Sequence, residues 1–391
     1  MRGGASMFEK IIGEVLNNSE LQHIIGKQNF QDDIIATFKD FFNNREKLVA
    51  YSNDYLIQDY LNYKRNGMHS HKYALMEVHS LLNDAKDVSA EKTFCALALF
   101  QITLVEMGNK HWSMVKLQND FASLEPYEYV TECFRLIEYT SENLLKYFFS
   151  LMVYLIRVIK GESPNLEDVK KTKFGILLDE IKLSNRLNTV LGILNSNVSI
   201  SQWRNISCHK SYQYTNGQIS CQYGAQLQHS ITVNTKEELL LIAKSIYKIS
   251  QIILLPTKLF LYDNIEQIRS KMDELSLDVA NFRDEDWELI FVTELLANGL
   301  IVIDINNGQK LSITVQDTQR GNLNDRIIGI PLAAYKAWVL TGKSEIEIVY
   351  VQSNGKPYTA ISLTADICEK VSNYEKDFSY LAEKMNIKFY E

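Results

Sequence analysis

The spacing of apolar residues changes along the chain, from a helical period in the first two thirds to a strand-like alternation in the last third. Over residues 7–130, apolar side chains recur every three or four positions, as on one face of an α-helix. This pattern predicts helices at Phe8 to Leu16, Phe30 to Phe42, Tyr55 to Tyr63, Tyr73 to Asp84 and Ala90 to Glu106. We therefore predict a separate helical N-terminal domain over residues 7–130, with a linker around Leu117 to Glu132, where Pro126 interrupts the pattern.

Residues 131–260 have the same helical period and contain the most apolar segment of the chain. The pattern predicts, in chain order, a long helix at Thr131 to Lys160, two shorter helices within Leu166 to Leu194, a helix containing residues 203–209 and a closing helix at Lys236 to Leu255. Gly161 to Pro164 should end the long helix, and Pro256 should end the last one, because proline cannot donate the helical hydrogen bond. A second helical domain is therefore predicted at residues 131–260.

A short β-hairpin is predicted inside this second domain. Asn216-Gly217 separates two alternating segments, Tyr212 to Thr215 and Gln218 to Cys221, and this dipeptide favours the tight turn of a two-residue hairpin. Thr235 and Glu238 then have the spacing of a capping box at the start of the closing helix. The hairpin should therefore follow the helix that contains residues 203–209 directly.

The last third of the chain, residues 283–391, predicts a small α+β domain. Four β-rich segments occur at Leu300 to Ile305, Lys310 to Gln316, Glu345 to Gln352 and Tyr358 to Leu363. Asn-Gly turns separate the members of each pair, so two hairpins are expected. Helices are predicted at Pro331 to Leu340 and Thr364 to Met385. The whole chain should thus be mainly α, and its C-terminal domain is expected to serve recognition or regulation, since exposed loop tips usually carry binding.

Composition restricts the classes of function. The 391 residues include 41 Lys and Arg against 48 Asp and Glu, a net charge of −7, which argues against a general nucleic-acid coat protein. Five scattered cysteines without Cys-x2-Cys spacing predict neither a disulfide framework nor a zinc site, and they favour a reducing, cytoplasmic location. The apolar run Leu144 to Ile159 contains Lys146 and Arg157 and is too short to span a bilayer comfortably, so no membrane association is expected.

Candidate chemistry lies at residues 203–209, where Arg204, Asn205 and His209 occur together. Arginine is a permanent cation, whereas histidine exchanges protons near neutral pH. Phosphodiester cleavage without a metal needs both properties: one group stabilises the charge that develops on phosphorus, and the other moves protons to and from ribose oxygens. Five residues correspond to about 140° around a helix, an angle that the long side chains of Arg204 and His209 can bridge. No cofactor or metal is expected.

This arrangement resembles the Arg-x4-6-His signature of the HEPN superfamily (higher eukaryotes and prokaryotes nucleotide-binding). Arg204, Asn205 and His209 match its arginine, the polar residue that commonly follows and its histidine, and the resemblance covers residues 131–260. It implies a HEPN-like helical bundle and a metal-independent endoribonuclease that attacks through the ribose 2′-hydroxyl. It also implies a C2 homodimer whose composite active site contains two motifs, acting as a toxin or antiviral abortive-infection effector. A regulatory or trigger protein is a further expected partner.

Other residues near the motif are expected to support the site. Lys210 and Tyr212 are expected to contact RNA, and Glu138 and Glu142, on the long helix, are expected to orient the site. Cys208 is interpreted as a small buried residue, because a nucleophile would need a base that meets it in space. Tyr212 lies three residues beyond the histidine, whereas some family members have a modifiable tyrosine two residues beyond it.

Alternatives remain open at the level of sequence. The motif residues also fit a non-catalytic HEPN-like module that binds a nucleotide or a partner, or a structural protein in which the match is coincidence. Arg65 and His71 form a second Arg/His pair, although Gly67 between them predicts a turn rather than a helix. His69, His71 and His79 form an incomplete metal-ligand set, since no carboxylate or cysteine completes it.

Overall fold

The protein is mainly α, and its described residues also form two small β-sheets. The computed structural model describes residues 30–52, 55–116, 124–277, 295, 300–317, 330–373, 375–376 and 379–390. These residues form two compact units. The helical unit contains residues 40–47 and 59–277, and the sheet unit contains residues 30–39, 48–58 and the described residues from 295 onwards. The helix predicted at Phe8 to Leu16 lies outside the described residues.

The N-terminal part of the described chain is helical, and its helices lie close to the positions that the apolar period predicts. The first described helices are α1 Phe30–Phe38, α2 Arg45–Tyr51, α3 Tyr55–Arg65, α4 Lys72–Val88 and α5 Ala90–Lys116. All except α2 begin within one residue of a predicted start, and α2 was not predicted. Ser89 separates α4 from α5, and its hydroxyl accepts the backbone N–H of Lys92 at 3.3 Å, as expected of an N-cap.

A nearly continuous helical stretch follows, with one irregular turn. It consists of α6 Pro126–Thr140, a π-helical turn at Ser141–Leu145 and α7 Lys146–Ile159. The predicted linker is therefore wrong from Pro126 onwards. Proline is tolerated at the first helical position, where no intrahelical N–H bond is needed, and Glu125 and Glu128 complete a capping box there.

The long stretch ends where Gly161 was expected to stop it. Gly161 has a φ of 79°. The N–H of Glu162 donates to the carbonyl of Arg157, and the N–H of Gly161 donates to the carbonyl of Val158. This is the Schellman arrangement of a helix C-terminus. Helices α8 Leu166–Lys170, α9 Phe174–Ser184, α10 Asn188–Leu191 and α11 Ile200–His209 follow, so the segment predicted to hold two helices holds three.

A three-stranded antiparallel sheet follows α11. Its strands are β1 Tyr212–Thr215, β2 Gln218–Tyr223 and β3 His229–Val233, in the order β1-β2-β3. The hairpin around Asn216-Gly217 is confirmed, with Tyr212 opposite Cys221 and Thr215 opposite Gln218. Strand β3 was not predicted.

Helix α12 Lys236–Asp263 closes the predicted second domain but does not stop at Pro256. The Thr235 hydroxyl accepts the N–H of Glu238 at 3.1 Å, which confirms the predicted cap. The predicted C-terminus is wrong: the residues after Pro256 include buried Leu259 and Phe260, so continuing the helix keeps their side chains in the core despite the lost hydrogen bond. Helix α13 Ile265–Glu274 follows.

The helical unit has one shared core, which differs from the predicted division at residue 130. Helix α4 packs against α7 and α12, α5 packs against α7 and α13, and α12 packs against α6. Apolar faces before and after residue 130 cover one another, so both segments belong to one unit. Within the described helices, α12 has the length and apolar character that a membrane span requires, and half of its most apolar window is buried in the protein.

The sheet unit contains both hairpins predicted for the C-terminal domain. Its elements are β4 Leu300–Asn307, β5 Leu311–Asp317, α14 Ile330–Thr341, β6 Glu345–Val351, β7 Pro357–Thr364, α15 Ala365–Ser372, α16 Ser379–Lys384 and β8 Asn386–Phe389. The strand order is β4-β5-β6-β7-β8, with β5 and β6 parallel and the other neighbours antiparallel. The single helix predicted at Thr364 to Met385 is instead two shorter helices, and β8 extends the sheet beyond the predicted strands.

Candidate functional site

Helix α11 is fixed to the protein through one apolar stripe. Ile200, Trp203 and Ile206 are buried at positions three residues apart, and the Trp203 indole N–H donates to the Ser196 hydroxyl at 3.1 Å. The side chains of Arg204, Asn205 and His209 lie outside this stripe, so the core interactions determine the direction in which the motif residues project.

Arg204 is held by two acceptors. Its Nε donates to the carboxylate of Glu142, in the π-turn, and its Nη1 donates to the Asn205 side-chain oxygen at 3.0 Å. The side chains of Arg204 and Glu142 are each 28% exposed, so the ion pair is partly shielded and the guanidinium still reaches solvent. The structure therefore brings together three of the residues predicted from the sequence.

His209 is the last residue of α11 and is exposed. Lys210 follows it in the left-handed region, with φ 51°, and the N–H of Ser211 bonds to the carbonyl of Ile206 to close the helix. No described residue forms an ion pair with Lys210 or hydrogen bonds with the His209 ring. A proton carrier and a free cation thus lie side by side at the helix end.

Glu138 and Cys208 form a second link between α6 and α11. Burial raises the pKa of the Cys208 thiol, and a hydrogen bond with Glu138 raises it further, although the charge of Arg204 opposes the shift. A thiol that stays protonated is a poor nucleophile. Cys208 is half-buried rather than fully buried as predicted, and Glu138 lies beside the motif helix.

Tyr212 is a packing residue in this structure. Its ring stacks on Phe134 with 3.9 Å between centroids and 18° between planes. Burial raises the pKa of the Tyr212 hydroxyl, against the effect of a hydrogen bond with Thr131. The ring and the hydroxyl both interact with residues of α6, so Tyr212 joins the sheet to the helices.

At the end of the sheet nearest α11, the structure brings together side chains whose proximity was not predicted from the sequence. Ser211, at the end of α11, and Gln222, next to Tyr223, are joined by two hydrogen bonds, of 2.8 and 2.7 Å, so the helix end that carries Lys210 lies beside Tyr223. His229 of β3 lies opposite Tyr223 on the other side. The alternation of His229, Ile231 and Val233 was the available signal for this third strand.

The second Arg/His pair is not on one helix. Helix α3 ends at Arg65, Gly67 has a φ of 60°, and a 3-10 turn covers Met68–His71. The turn expected at Gly67 is therefore present. His79 is buried, and its Nε2 is paired with the Asn83 amide at 3.0 Å. Within the described ranges no group of His, Cys, Asp or Glu side chains is arranged to hold a metal ion.

The arrangement around α11 combines a fixed guanidinium, an exposed imidazole and an amide between them. A fixed cation can hold a phosphate, and an exposed imidazole can exchange protons with a bound hydroxyl. Glu138 and Glu142 make the α6 side of the site acidic, whereas Lys210 makes the helix end basic. Comparison with protein-family models, characterised proteins and solved structures finds no match to this chain.

Proposed function

We propose that this protein is a metal-independent endoribonuclease of HEPN type. The observation that carries the proposal is the pairing of Arg204 with Glu142 and Asn205, one and a half turns from exposed His209 on the same helix. An arginine that only solubilised the surface would not need two acceptors. Such preorganisation is what stabilisation of a developing charge requires, because the donor does not have to reorganise during the reaction.

In the proposed reaction, His209 removes the proton from a ribose 2′-hydroxyl or protonates the leaving 5′-oxygen. The 2′-oxygen bonds to phosphorus, the bond from phosphorus to the 5′-oxygen breaks, and the products are a 2′,3′-cyclic phosphate and a 5′-hydroxyl. Arg204 holds the phosphate and stabilises its added charge, and Asn205 fixes the orientation of the guanidinium. In a C2 homodimer, the motifs of the two protomers form one composite site, and the two proton transfers are divided between them.

The biological setting that fits such an activity is conflict with a virus. An RNase of this type would act in the cytoplasm as a toxin or abortive-infection effector. The hairpins of the sheet unit are the proposed recognition or trigger-binding surface, because their turns lie at exposed tips. This assignment would give the two compact units separate roles in cleavage and control.

Cleavage of a labelled single-stranded RNA tests the proposal. His209→Ala and Arg204→Ala should each reduce the rate by roughly 10²-fold or more, and EDTA should leave the wild-type rate unchanged. A substrate with 2′-deoxyribose at the cleaved position should remain intact. His69→Ala is the matched control, since His69 is also exposed and lies on a different element. A fully active His209→Ala, or strong inhibition by EDTA, contradicts the proposal.

One observation favours a non-catalytic alternative. Glu142 compensates the charge of Arg204, and Glu138 adds a second carboxylate nearby, which weakens the attraction of the site for a phosphate. A HEPN-like module that binds a nucleotide or a protein partner would tolerate this. In that case purified protein would leave every RNA intact, while Arg204→Ala would still abolish binding of the ligand.

A further inference from the structure

Two aromatic rings lie together at the end of the three-stranded sheet. The centroids of Tyr223 and His229 are 5.4 Å apart, and the ring planes are tilted by 35°. His229 is exposed and Tyr223 is partly exposed. Residues that face each other on neighbouring strands project to the same side of a sheet, so the two rings form one continuous surface.

A cation borders these rings. Lys210 immediately precedes Ser211, which is hydrogen-bonded to Gln222, the residue before Tyr223. It is exposed, and no carboxylate of the described chain is paired with it. The ammonium group of Lys210, with His209 immediately before it in sequence, therefore lies at the same end of the sheet as the tyrosine and imidazole rings.

The turn after Tyr223 is built to hold the His229 ring against the backbone. Gly224 has a φ of 88°, and a Cβ atom at this position would lie 2.7 Å from Cδ2 of His229. Any other residue would both strain the backbone and displace the ring. Gln226 and Leu227 in the same turn also have positive φ values, of 58° and 56°, an uncommon conformation for residues other than glycine.

The same turn is attached to the motif helix. The N–H of Gly224 donates to the Gln202 side-chain oxygen at 3.2 Å. Gln202 and His209 are seven residues apart, or nearly two full turns, so their side chains point within about 20° of the same direction around the helix. The rings of Tyr223 and His229 are thus joined to the side of α11 from which His209 projects.

We propose that Tyr223, His229 and Lys210 form a subsite that binds an unpaired base of single-stranded RNA and the adjoining phosphate. This inference rests on the proposed ribonuclease activity and names the substrate class of that site. Aromatic rings bind bases by stacking whatever their sequence, and a neighbouring lysine contributes attraction to the backbone. A base inside a duplex is covered on both faces, so the subsite selects unpaired RNA.

The experiment measures KM and kcat on a single-stranded RNA, and binding of the same RNA to a His209→Ala background. Tyr223→Leu and His229→Ala should each raise KM and the dissociation constant by roughly 10-fold, with a much smaller change in kcat, because stacking contributes to ground-state binding. His229→Phe should restore binding, since phenylalanine keeps the stacking surface. Lys210→Ala should reduce the salt dependence of binding. Tyr73→Ala, at an exposed tyrosine of α4, is the control.

The outcomes separate this inference from the proposed activity. Cleavage that continues with unchanged KM in Tyr223→Leu and His229→Ala overturns the subsite and leaves the ribonuclease standing. Binding that depends on both rings, in a protein that cleaves no RNA, supports the subsite and removes the enzyme. A loss of kcat in His229→Phe with unchanged binding would make His229 a proton-transfer group and overturn the stacking role. Equal affinity for a duplex and a single strand would also contradict the proposal.

Discussion

The guanidinium of Arg204 and the carboxylate of Glu142 join the motif helix to the π-turn that interrupts the long helix. The two residues are 62 positions apart in sequence. π-turns are rare and are frequently found at functional sites, where they redirect a side chain. Here the irregular turn presents Glu142 to Arg204, and the direction of the cation is determined by residues of two elements.

We expect Glu142→Gln to lower kcat about tenfold, equivalent to about 1.4 kcal/mol of transition-state stabilisation. The amide keeps the shape of the side chain but removes the charge that holds Arg204, so the guanidinium should sample more orientations. Steady-state cleavage assays measure the effect. Glu132→Gln is the matched control, because Glu132 is on α6, which leads into the π-turn, and it likewise pairs with an arginine, Arg135. An increase in kcat would show that Glu142 competes with the phosphate instead.

Stability should fall in mild acid because of His79. Burial lowers the pKa of this histidine from 6.5 to about 4. Below about pH 6.5 His79 becomes protonated in the unfolded chain, whereas in the folded protein it stays neutral until about pH 4. The free energy of unfolding therefore decreases as the pH falls from about 6.5 to about 4. At pH 5 the expected loss is about 2 kcal/mol.

Urea unfolding at pH 7 and pH 5 measures this loss. His79→Gln should remove about 2 kcal/mol of the difference between the two pH values, whereas His69→Gln, at an exposed site, should leave it unchanged. An identical pH dependence in wild type and His79→Gln would contradict the assignment.

A truncation experiment tests where the helical unit ends. The carboxylate of Asp263 accepts the backbone N–H groups of Asn43 and Asn44 at 3.0 and 2.9 Å, and Ile268 of α13 is buried. A chain ending after Leu261 loses all of these interactions. We expect its free energy of unfolding to be at least about 3 kcal/mol lower than that of a chain ending after Leu277. Equal thermal midpoints for the two would show that α13 is dispensable.

Tyr212 should behave as a packing residue. Tyr212→Phe keeps the stack on Phe134 and should leave the cleavage rate within about twofold, while Tyr212→Ala should cost about 2 kcal/mol of stability because it removes a half-buried ring. Denaturant unfolding and cleavage assays on the two variants check this. A large loss of activity in Tyr212→Phe, without loss of stability, would instead assign the hydroxyl a role with substrate.

Local signals predicted local structure well. Asn216-Gly217 specified its hairpin, and Thr235 specified the start of α12, because turn and cap geometry depend on a few adjacent residues. Proline was less informative: Pro126 begins a helix and Pro256 lies inside one. Whether a helix continues past a proline depends on the burial of the residues beyond it, which only tertiary packing determines.

Non-local relationships were not available from periodicity. The pairing of Glu142 with Arg204 was expected only as a general orienting role, and the contact of Tyr223 with His229 requires the register of a third strand. The sequence also did not indicate that the helical unit extends across residue 130, because two segments with similar apolar faces give no indication that each covers the other. The parallel pairing of β5 with β6 likewise depends on a crossover that sequence alternation does not encode.

The π-turn at Ser141–Leu145 also determines the phase between the two halves of the long helix. It holds one residue more than an α-helical turn, and each residue rotates the chain by about 100°. Deleting one residue there would make the helix regular and turn every side chain of α7 by that angle, moving buried Phe148 and Phe149 away from their neighbours. The number of residues in this turn therefore matters as well as the identity of Glu142, and a chain shortened by one would have a regular helix whose two halves no longer direct their apolar faces to a common core.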